Sequence, residues 1–129
     1  NAKFLAFHSA GQSPEDAIDD LEQKVVPQLQ FGAAIGMGAD MHTASLFPGV
    51  AGLEAALEPS SPALAILRPE SQPEARISLS ARVLDSAISK HLVIFGDDKL
   101  RALERAMTLP PEEAPIQAVL SETVVHWSP

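Results

Sequence analysis

Residues 31–49 read FGAAIGMGADMHTASLFPG, and their apolar first part is the clearest structural signal in the chain. The run from 31 to 37 carries no charge and ends in glycines, which is typical of a strand that lies in a parallel sheet and is covered on both faces. Asp40 and His42 follow this strand, with one residue between them. Because ligands of α/β sheets bind beyond the carboxyl ends of the strands, the turn after residue 37 is the first candidate for a functional site.

Helix and strand patterns alternate along the rest of the chain. The clearest helix is SPEDAIDDLEQKV, in which Ser13 can cap, Pro14 suits the first helical position and Pro27 ends the helix. Apolar spacing predicts further helices at 49–57, 80–88, 97–107 and 115–120, and strands at 3–8, 63–67, 76–80, 91–95 and 123–127. Ile88 and Met107 are expected to continue the buried stripes of their helices. This order predicts an α/β, Rossmann-like three-layer domain over residues 1–129, with a mostly parallel sheet flanked by helices.

Composition and charge narrow the class of protein. The chain has 129 residues, of which 46% are hydrophobic, so it suits one globular domain better than a disordered segment. The net charge of −8 and the scattered basic residues argue against nucleic acid, whose phosphates require clustered cations. The chain has no cysteine, which excludes disulfides and thiolate chemistry. No apolar run approaches the roughly 20 residues that cross a bilayer, and we expect no membrane partner and a cytoplasmic location.

The Asp40–His42 pair is compatible with several kinds of chemistry. Side chains two residues apart in an extended segment point the same way, and a carboxylate beside a histidine raises its basicity. The pair therefore suits general-base catalysis, but a turn-capping Asp40 and an ordinary loop histidine remain open from the residues alone. A metal site is disfavoured because further ligands are not evident. The glycines form no dinucleotide fingerprint, since Met41 stands where the third glycine belongs, and no Gly-Lys-Ser/Thr follows as in a P-loop.

Residues 36–49, GMGADMHTASLFPG, resemble the signature loop of the 6-phosphogluconolactonases, Gly-x-Gly-x-Asp-Gly-His-Thr-Ala-Ser-Leu-Phe-Pro-Gly. The resemblance continues through RISLS, GDDKLRALERA and the terminal VVHW, and so covers nearly the whole chain. Glucosamine-6-phosphate deaminases are more distantly similar, because they share the Asp-Gly-His core but continue without Ser-Leu-Phe-Pro. The resemblance implies hydrolysis of 6-phosphogluconolactone to 6-phosphogluconate, in the oxidative pentose phosphate pathway.

The resemblance also implies a role for each residue of the motif. His42 is expected to be the general base that activates a water molecule, and Asp40 is expected to orient its imidazole. Gly36 and Gly38 are expected to bind the substrate, with backbone N–H groups around them stabilising the developing oxyanion. The scheme requires no metal and no organic cofactor, and the implied partner is a small sugar-phosphate lactone.

Two basic residues are implied as ligands of the substrate phosphate. Arg76 precedes the Ser-Leu-Ser strand, and Lys99 lies in the first turn of the helix that begins near Asp97. A cation is unfavourable at this positive end of the helix dipole unless an anion binds there, and phosphates bind well at helix N-termini. From the residues alone, neutralisation of Lys99 by Asp97 and Asp98 in solvent remains the alternative.

Two departures from the family pattern affect the functional expectation. Met41 replaces the usual glycine of Asp-Gly-His, so it either strains the loop through a positive φ or narrows the pocket. The Gly-Gly-Ser-type phosphate loop of the family's front part does not occur in these 129 residues, so the chain resembles the carboxyl-terminal portion of the enzyme. The alternatives are an aminosugar-phosphate isomerase or deaminase, and a sugar-phosphate-binding module without turnover.

Overall fold

The computed structural model describes residues 2–129. Its helices are α1 (Pro14–Val25), α2 (Leu53–Leu57), α3 (Ala81–Asp85) and α4 (Asp97–Ala106), and two 3-10 helices lie at Val26–Gln28 and Pro115–Val119. Its strands are β1 (Gly32–Ile35), β2 (Leu64–Leu67), β3 (Arg76–Leu79), β4 (Ser89–Phe95) and β5 (Thr123–Ser128). Within residues 2–129 the longest helix, α1, has 12 residues, and none is long and apolar enough to cross a membrane.

A parallel sheet of three strands organises the chain. β4 lies in the middle, with β1 on one side and β5 on the other, so that Ala34 and Val124 both lie beside His91. β2 and β3 form a separate antiparallel pair. Helices lie in both connections of the parallel sheet, as parallel strands require. The predicted α/β class, with a mostly parallel sheet flanked by helices, is confirmed.

The first helix forms where the sequence places its signals. Ser13 caps α1, because its Oγ accepts a hydrogen bond from the Asp16 backbone N–H at 3.1 Å. The α-helix ends at Val25, and Pro27 lies in the 3-10 turn that follows. The apolar stripe of α1 forms a small core with β2, made of Ala17, Leu21, Val25 and Leu64. α1 therefore packs against the β2–β3 pair.

The main core lies on one face of the parallel sheet. Leu92 and Ile94 of β4 point into it and are almost fully buried. They share this core with side chains from all four connecting helical segments: Leu53, Ala56, Ala81, Leu84, Ala102, Leu103, Ala106, Ile116 and Val119. Lys90 points to the same side, where its Nζ donates to the Val119 carbonyl at 3.2 Å and pairs with Asp85. The core therefore joins the sheet to the helices that follow β1 and β4.

The opposite face of the sheet is exposed among the described residues, and we call it the open face. Its apolar members are Ala34, Val93, Phe95 and Val124, of which Phe95 is 69% exposed. The expectation that the first strand is covered on both faces is therefore wrong for β1, where Gly32 and Ala34 are exposed. The physical reason is that the helices of both sheet connections pack on the core side.

Three further expectations are corrected. Residues 3–8 form no strand and Phe4 is 93% exposed, because no strand among residues 2–129 pairs with this segment. Ile88 lies beyond the end of α3, because the chain has already left the helix and its backbone N–H donates to the Phe31 carbonyl at 2.8 Å beside the sheet. Its side chain is 76% exposed. Met107 follows the last residue of α4 and is 67% exposed. In both cases the apolar pattern continues past the end of the helix.

Candidate functional site

Hydrogen bonds close the turn that follows β1. The Gly38 N–H donates to the His42 carbonyl, and the Met41 N–H donates to the Gly38 carbonyl, each at 3.0 Å. Thr43 is fully buried, and its Oγ1 donates to the Gly36 carbonyl at 2.8 Å. The turn therefore has a defined backbone path, and both members of the candidate pair lie on it.

Asp40 contacts both the side chain and the backbone of His42. The imidazole Nδ1 lies 2.5 Å from Asp40 Oδ1, and the His42 backbone N–H donates to the same oxygen at 3.2 Å. Because an ionised carboxylate only accepts hydrogen bonds, Nδ1 carries the proton and the basic lone pair lies on Nε2. Nε2 has no hydrogen-bond partner within residues 2–129, and the His42 side chain is 31% exposed. Turn capping and imidazole orientation, the two alternatives for Asp40, therefore occur together.

The surroundings of Asp40 favour its ionised form. Burial raises the pKa of this carboxyl, but hydrogen bonds from the His42 side chain and backbone, with the attraction of the imidazolium charge, lower it by more. The resulting pKa lies below the ordinary value of 3.8. Asp40 is therefore a carboxylate at neutral pH, and it can stabilise a protonated His42 without itself taking up the proton.

Gly38 and Phe47 both contact the imidazole. A β-carbon on residue 38 would lie 2.1 Å from His42 Nδ1 and 2.5 Å from Asp40 Oδ1, so only glycine leaves room for the pair. The Phe47 ring packs against the imidazole, with centroids 4.5 Å apart and planes inclined at 38°. The Gly38 N–H donates to the His42 carbonyl, and Gly38 makes space for the pair. Stabilisation of an oxyanion by backbone N–H groups around Gly36 and Gly38 stays a prediction.

Met41 adopts the backbone conformation that favours glycine. Its φ is +67°, in the left-handed region. Its side chain is 7% exposed and belongs to the main core together with Met37 and Ile116. Of the two effects expected from replacing the family's glycine, the structure therefore shows the positive φ. The expectation that Met41 narrows the pocket is wrong, because its side chain packs in the interior.

Lys99 reaches the turn from α4. Its Nζ donates to the Met37 carbonyl at 2.6 Å. Asp98 pairs instead with Arg101, and no carboxylate among residues 2–129 forms an ion pair with Lys99. The alternative interpretation, in which Asp97 and Asp98 neutralise Lys99, is therefore wrong. An ammonium group has three N–H donors, and the Met37 carbonyl uses one of them.

Arg76 lies beside a different cleft from Asp40. It begins β3, is exposed, and donates through its guanidinium to the Gln72 side chain. Its cleft has a volume of about 310 Å³ and includes His8, Ser9, Ser13 and Ser45 in its lining. A second cleft, of about 300 Å³, is lined by Asp40, Phe47 and Gln72 among others. The structure thus brings the Asp–His pair together and places Arg76 one cleft away, with Gln72 between them.

Three contacts of this site were not predicted from the sequence. Two involve residues inside the quoted loop, the buried Thr43 hydroxyl and the Phe47 ring. The motif contains both residues, but the sequence did not indicate what they contact. The third ties the loop to β3, because the Ser45 backbone N–H donates to Ser78 Oγ at 3.3 Å. No pattern in the sequence indicates that residues this far apart in the chain meet.

Comparisons with known proteins agree with this architecture. Residues 1–127 match the family described as glucosamine-6-phosphate isomerases/6-phosphogluconolactonase. The chain is 32% identical to a 6-phosphogluconolactonase of Pseudomonas aeruginosa over 133 residues, which cover 99% of this chain and 56% of that protein. It is 39% identical to the 6-phosphogluconolactonase of Pseudomonas putida over 134 residues, which cover 99% of this chain and 54% of that protein.

A solved structure has the same fold over the whole chain. The crystal structure of a 6-phosphogluconolactonase from Shewanella baltica matches with a TM-score of 0.89 and 29% identity, covering 100% of this chain and 58% of that one. The chain therefore spans about half the length of the curated relatives it matches. From the match over residues 1–127 and the identities to these relatives, the chain belongs to the glucosamine-6-phosphate isomerase/6-phosphogluconolactonase family.

Proposed function

We propose that this chain carries the hydrolytic centre of a 6-phosphogluconolactonase, acting on 6-phospho-D-glucono-1,5-lactone in the cytoplasm. The observation that carries the proposal is the Asp40–His42 contact, in which Nδ1 is held by a carboxylate at 2.5 Å and Nε2 has no partner among residues 2–129. A general base needs this arrangement, because its proton-accepting nitrogen must face water or substrate. The relatives named above carry the name of this enzyme, which supports the choice of substrate.

The proposed reaction uses only the lactone and one water molecule. His42 takes a proton through Nε2 from the water that adds to the C1 carbonyl. The bond between C1 and the ring oxygen then breaks, and the imidazolium returns the proton to the departing oxygen. Asp40 stays ionised and stabilises the imidazolium between these steps. A positioned general base of this kind raises the rate by a factor of about 10²–10⁴. The scheme requires no metal and no organic cofactor.

The 6-phosphate is proposed to bind at Lys99 and Arg76. Lys99 has two N–H donors beyond its contact with Met37, and it lies in the first turn of α4, where backbone N–H groups also favour an anion. Arg76 has guanidinium donors beyond its contact with Gln72. Gly36 remains a proposed substrate contact, because the space that a β-carbon would occupy there is open.

Replacement of His42 tests the central step. His42→Asn is expected to lower lactone hydrolysis by about 10²–10⁴ once the spontaneous reaction is subtracted, because the proton acceptor is lost. The acid released by hydrolysis can be followed at constant pH by titration. His91→Asn is the matched control, since it removes an imidazole on the open face and should leave the rate unchanged. Equal rates for a folded His42→Asn and the wild type would refute the general-base role.

Replacement of Lys99 tests the phosphate site separately. Lys99→Met keeps most of the aliphatic stem and removes the charge, so KM for the phosphorylated lactone should rise by about tenfold or more, because a charge-assisted hydrogen bond is lost. A lactone without the phosphate should be hydrolysed equally by both proteins. If Lys99→Met binds the phosphorylated lactone as the wild type does, the phosphate assignment fails.

The alternatives have their own readouts in the same assays. The first alternative is a sugar-phosphate-binding module that does not turn over. Binding of 6-phosphogluconate without hydrolysis above the background would select that module and refute the hydrolytic centre. Release of ammonia from glucosamine 6-phosphate would select an aminosugar-phosphate deaminase instead.

A further inference from the structure

Met41 combines a left-handed backbone with a buried side chain. Within residues 2–129, three non-glycine residues have a positive φ, namely Met41, Ala44 and Glu122. Ala44 and Glu122 are exposed, as is usual for such turn positions, whereas Met41 is 7% exposed. L-amino acids rarely adopt this conformation, because the β-carbon crowds the following carbonyl oxygen. The surrounding structure must therefore stabilise residue 41 in it.

Contacts on three sides hold Met41 in place. Its side chain lies in the main core, where it is clustered with Met37 and Leu46. Its N–H donates to the Gly38 carbonyl at 3.0 Å. Its carbonyl accepts the N–H of Ile116, in the second 3-10 helix, also at 3.0 Å. The residue between the two members of the candidate pair is thus the point at which the turn is joined to the protein interior.

The conformation of residue 41 decides how its neighbours meet. Asp40 Oδ1 accepts the His42 backbone N–H and also contacts the imidazole, which requires the chain to turn back at the intervening residue. We propose that Met41 is the positioning residue of the Asp40–His42 pair, because burial of its side chain stabilises the left-handed backbone that brings the carboxylate against the imidazole. The consequence for catalysis rests on the proposed function, whereas the positioning itself does not.

Three substitutions at this position separate backbone conformation from side-chain packing. Met41→Leu keeps the volume and is unbranched at the β-carbon, so the pair should be unchanged. Met41→Gly removes the whole side chain but adopts a positive φ freely, so the pair should persist while the thermal midpoint falls. Met41→Val keeps more volume than glycine, but its β-branch opposes the left-handed region, so the pair should separate.

The pKa of Asp40 reports whether the pair is formed. The contacts with His42 hold this pKa below 3.8, and it can be measured from the ¹³C shift of the carboxyl in a pH titration of the ligand-free protein. We expect a lowered pKa in the wild type, Met41→Leu and Met41→Gly, and a rise toward 3.8 in Met41→Val. If Met41→Val does not fold, Met41→Ala replaces it, with a carboxyl pKa expected above that of Met41→Gly although alanine retains more side chain.

Other orders of the variants would overturn the proposal. If the pKa rose steadily as side-chain volume was lost, so that glycine had the largest effect, packing and not backbone conformation would position the pair. If all variants kept the wild-type pKa, residue 41 would position nothing. Leu84→Ala is the control for general destabilisation, because Leu84 belongs to the same core on α3 and its loss should lower stability without moving the pKa of Asp40.

The same variants keep this inference distinct from the proposed function. The carboxyl titration needs no substrate, so a chain that hydrolyses no lactone still tests the role of Met41. Where hydrolysis is measurable, kcat should fall in Met41→Val and stay within a few-fold of the wild type in Met41→Gly. An active wild type with the opposite order would refute the positioning role and leave the lactonase proposal standing.

Discussion

The imidazole of His42 lies so close to Gly38 that a β-carbon on residue 38 would be 2.1 Å from Nδ1. Real β-carbons essentially never make such a contact, and this one would also lie 2.3 Å from His42 Cε1 and 2.5 Å from Asp40 Oδ1. The second glycine of the motif therefore has a steric role. It lets the backbone pass close to the Asp40–His42 pair, where any larger residue would collide with both side chains.

Gly38→Ala should therefore separate Asp40 from His42 in a folded protein. We expect the pKa of Asp40 to rise toward 3.8, and lactone hydrolysis to fall by about 10²-fold or more, because the base loses its orienting carboxylate. Gly36→Ala is the spectroscopic control, since an added β-carbon there meets no atom within 4 Å and should leave the Asp40 titration unchanged. An undisturbed Asp40 pKa in Gly38→Ala would contradict the steric role.

Asp40→Asn should remove a stabilising contribution that depends on pH. The pKa of Asp40 is lower in the folded state than its ordinary value of 3.8, so its ionised form stabilises the fold above that pH. This contribution is lost as the pH falls below 3.8 through the folded pKa. The variant should therefore be less stable than the wild type near neutral pH, and the difference should shrink as the pH is lowered below 3.8, when unfolding by urea is compared. Asparagine can still accept the His42 backbone N–H, so the comparison isolates the charge. A difference in stability that does not change with pH would contradict this.

Lys90 and Asp85 should respond unequally to substitution. Lys90 is buried and donates to both Asp85 and the Val119 carbonyl, whereas the Asp85 side chain is 40% exposed. Asp85→Ala leaves a buried ammonium without its counterion, at a cost of about 3–5 kcal/mol. Lys90→Met keeps the stem and leaves an acid that water can solvate, and the Val119 carbonyl still accepts a hydrogen bond from Thr123 Oγ1 at 2.7 Å. The loss should therefore be about 0.5–1.5 kcal/mol, from the hydrogen bonds that Lys90 no longer donates. Urea unfolding measures both losses, and a larger one for Lys90→Met would mean that the ion pair is not buried in solution.

Local signals in the sequence predicted what local contacts control. The Ser13 cap, the proline after α1 and the glycine-terminated strand β1 each depend on a few neighbouring residues, and each occurs where the sequence places it. Asp40 and His42 were likewise predicted as a pair, and their contact is a local one.

Contacts between segments that are distant in the chain could not be predicted from the sequence. A strand pattern at 3–8 has no partner strand within residues 2–129, so its apolar residues do not form sheet. The Lys99–Met37 and Ser45–Ser78 contacts join segments that only the tertiary fold brings together. Met41 could be recognised as a departure from a pattern, but its burial depends on the position of Ile116, which no local rule provides.

The open face should make adjacent residues of β4 differ sharply in their effect on stability. Leu92 is fully buried in the main core, whereas Val93 points to the open face and is 40% exposed. Leu92→Thr should lower the free energy of unfolding by about 3 kcal/mol, because it places a hydroxyl in a cavity of the core. Val93→Thr exchanges a methyl for a hydroxyl at an exposed strand position and should change it by less than about 0.5 kcal/mol. Because successive side chains of a strand point to opposite faces of the sheet, the difference between the two variants shows which face is buried. If both variants lost the same free energy of unfolding in urea, the open face would have to be covered in solution, and the prediction would be wrong.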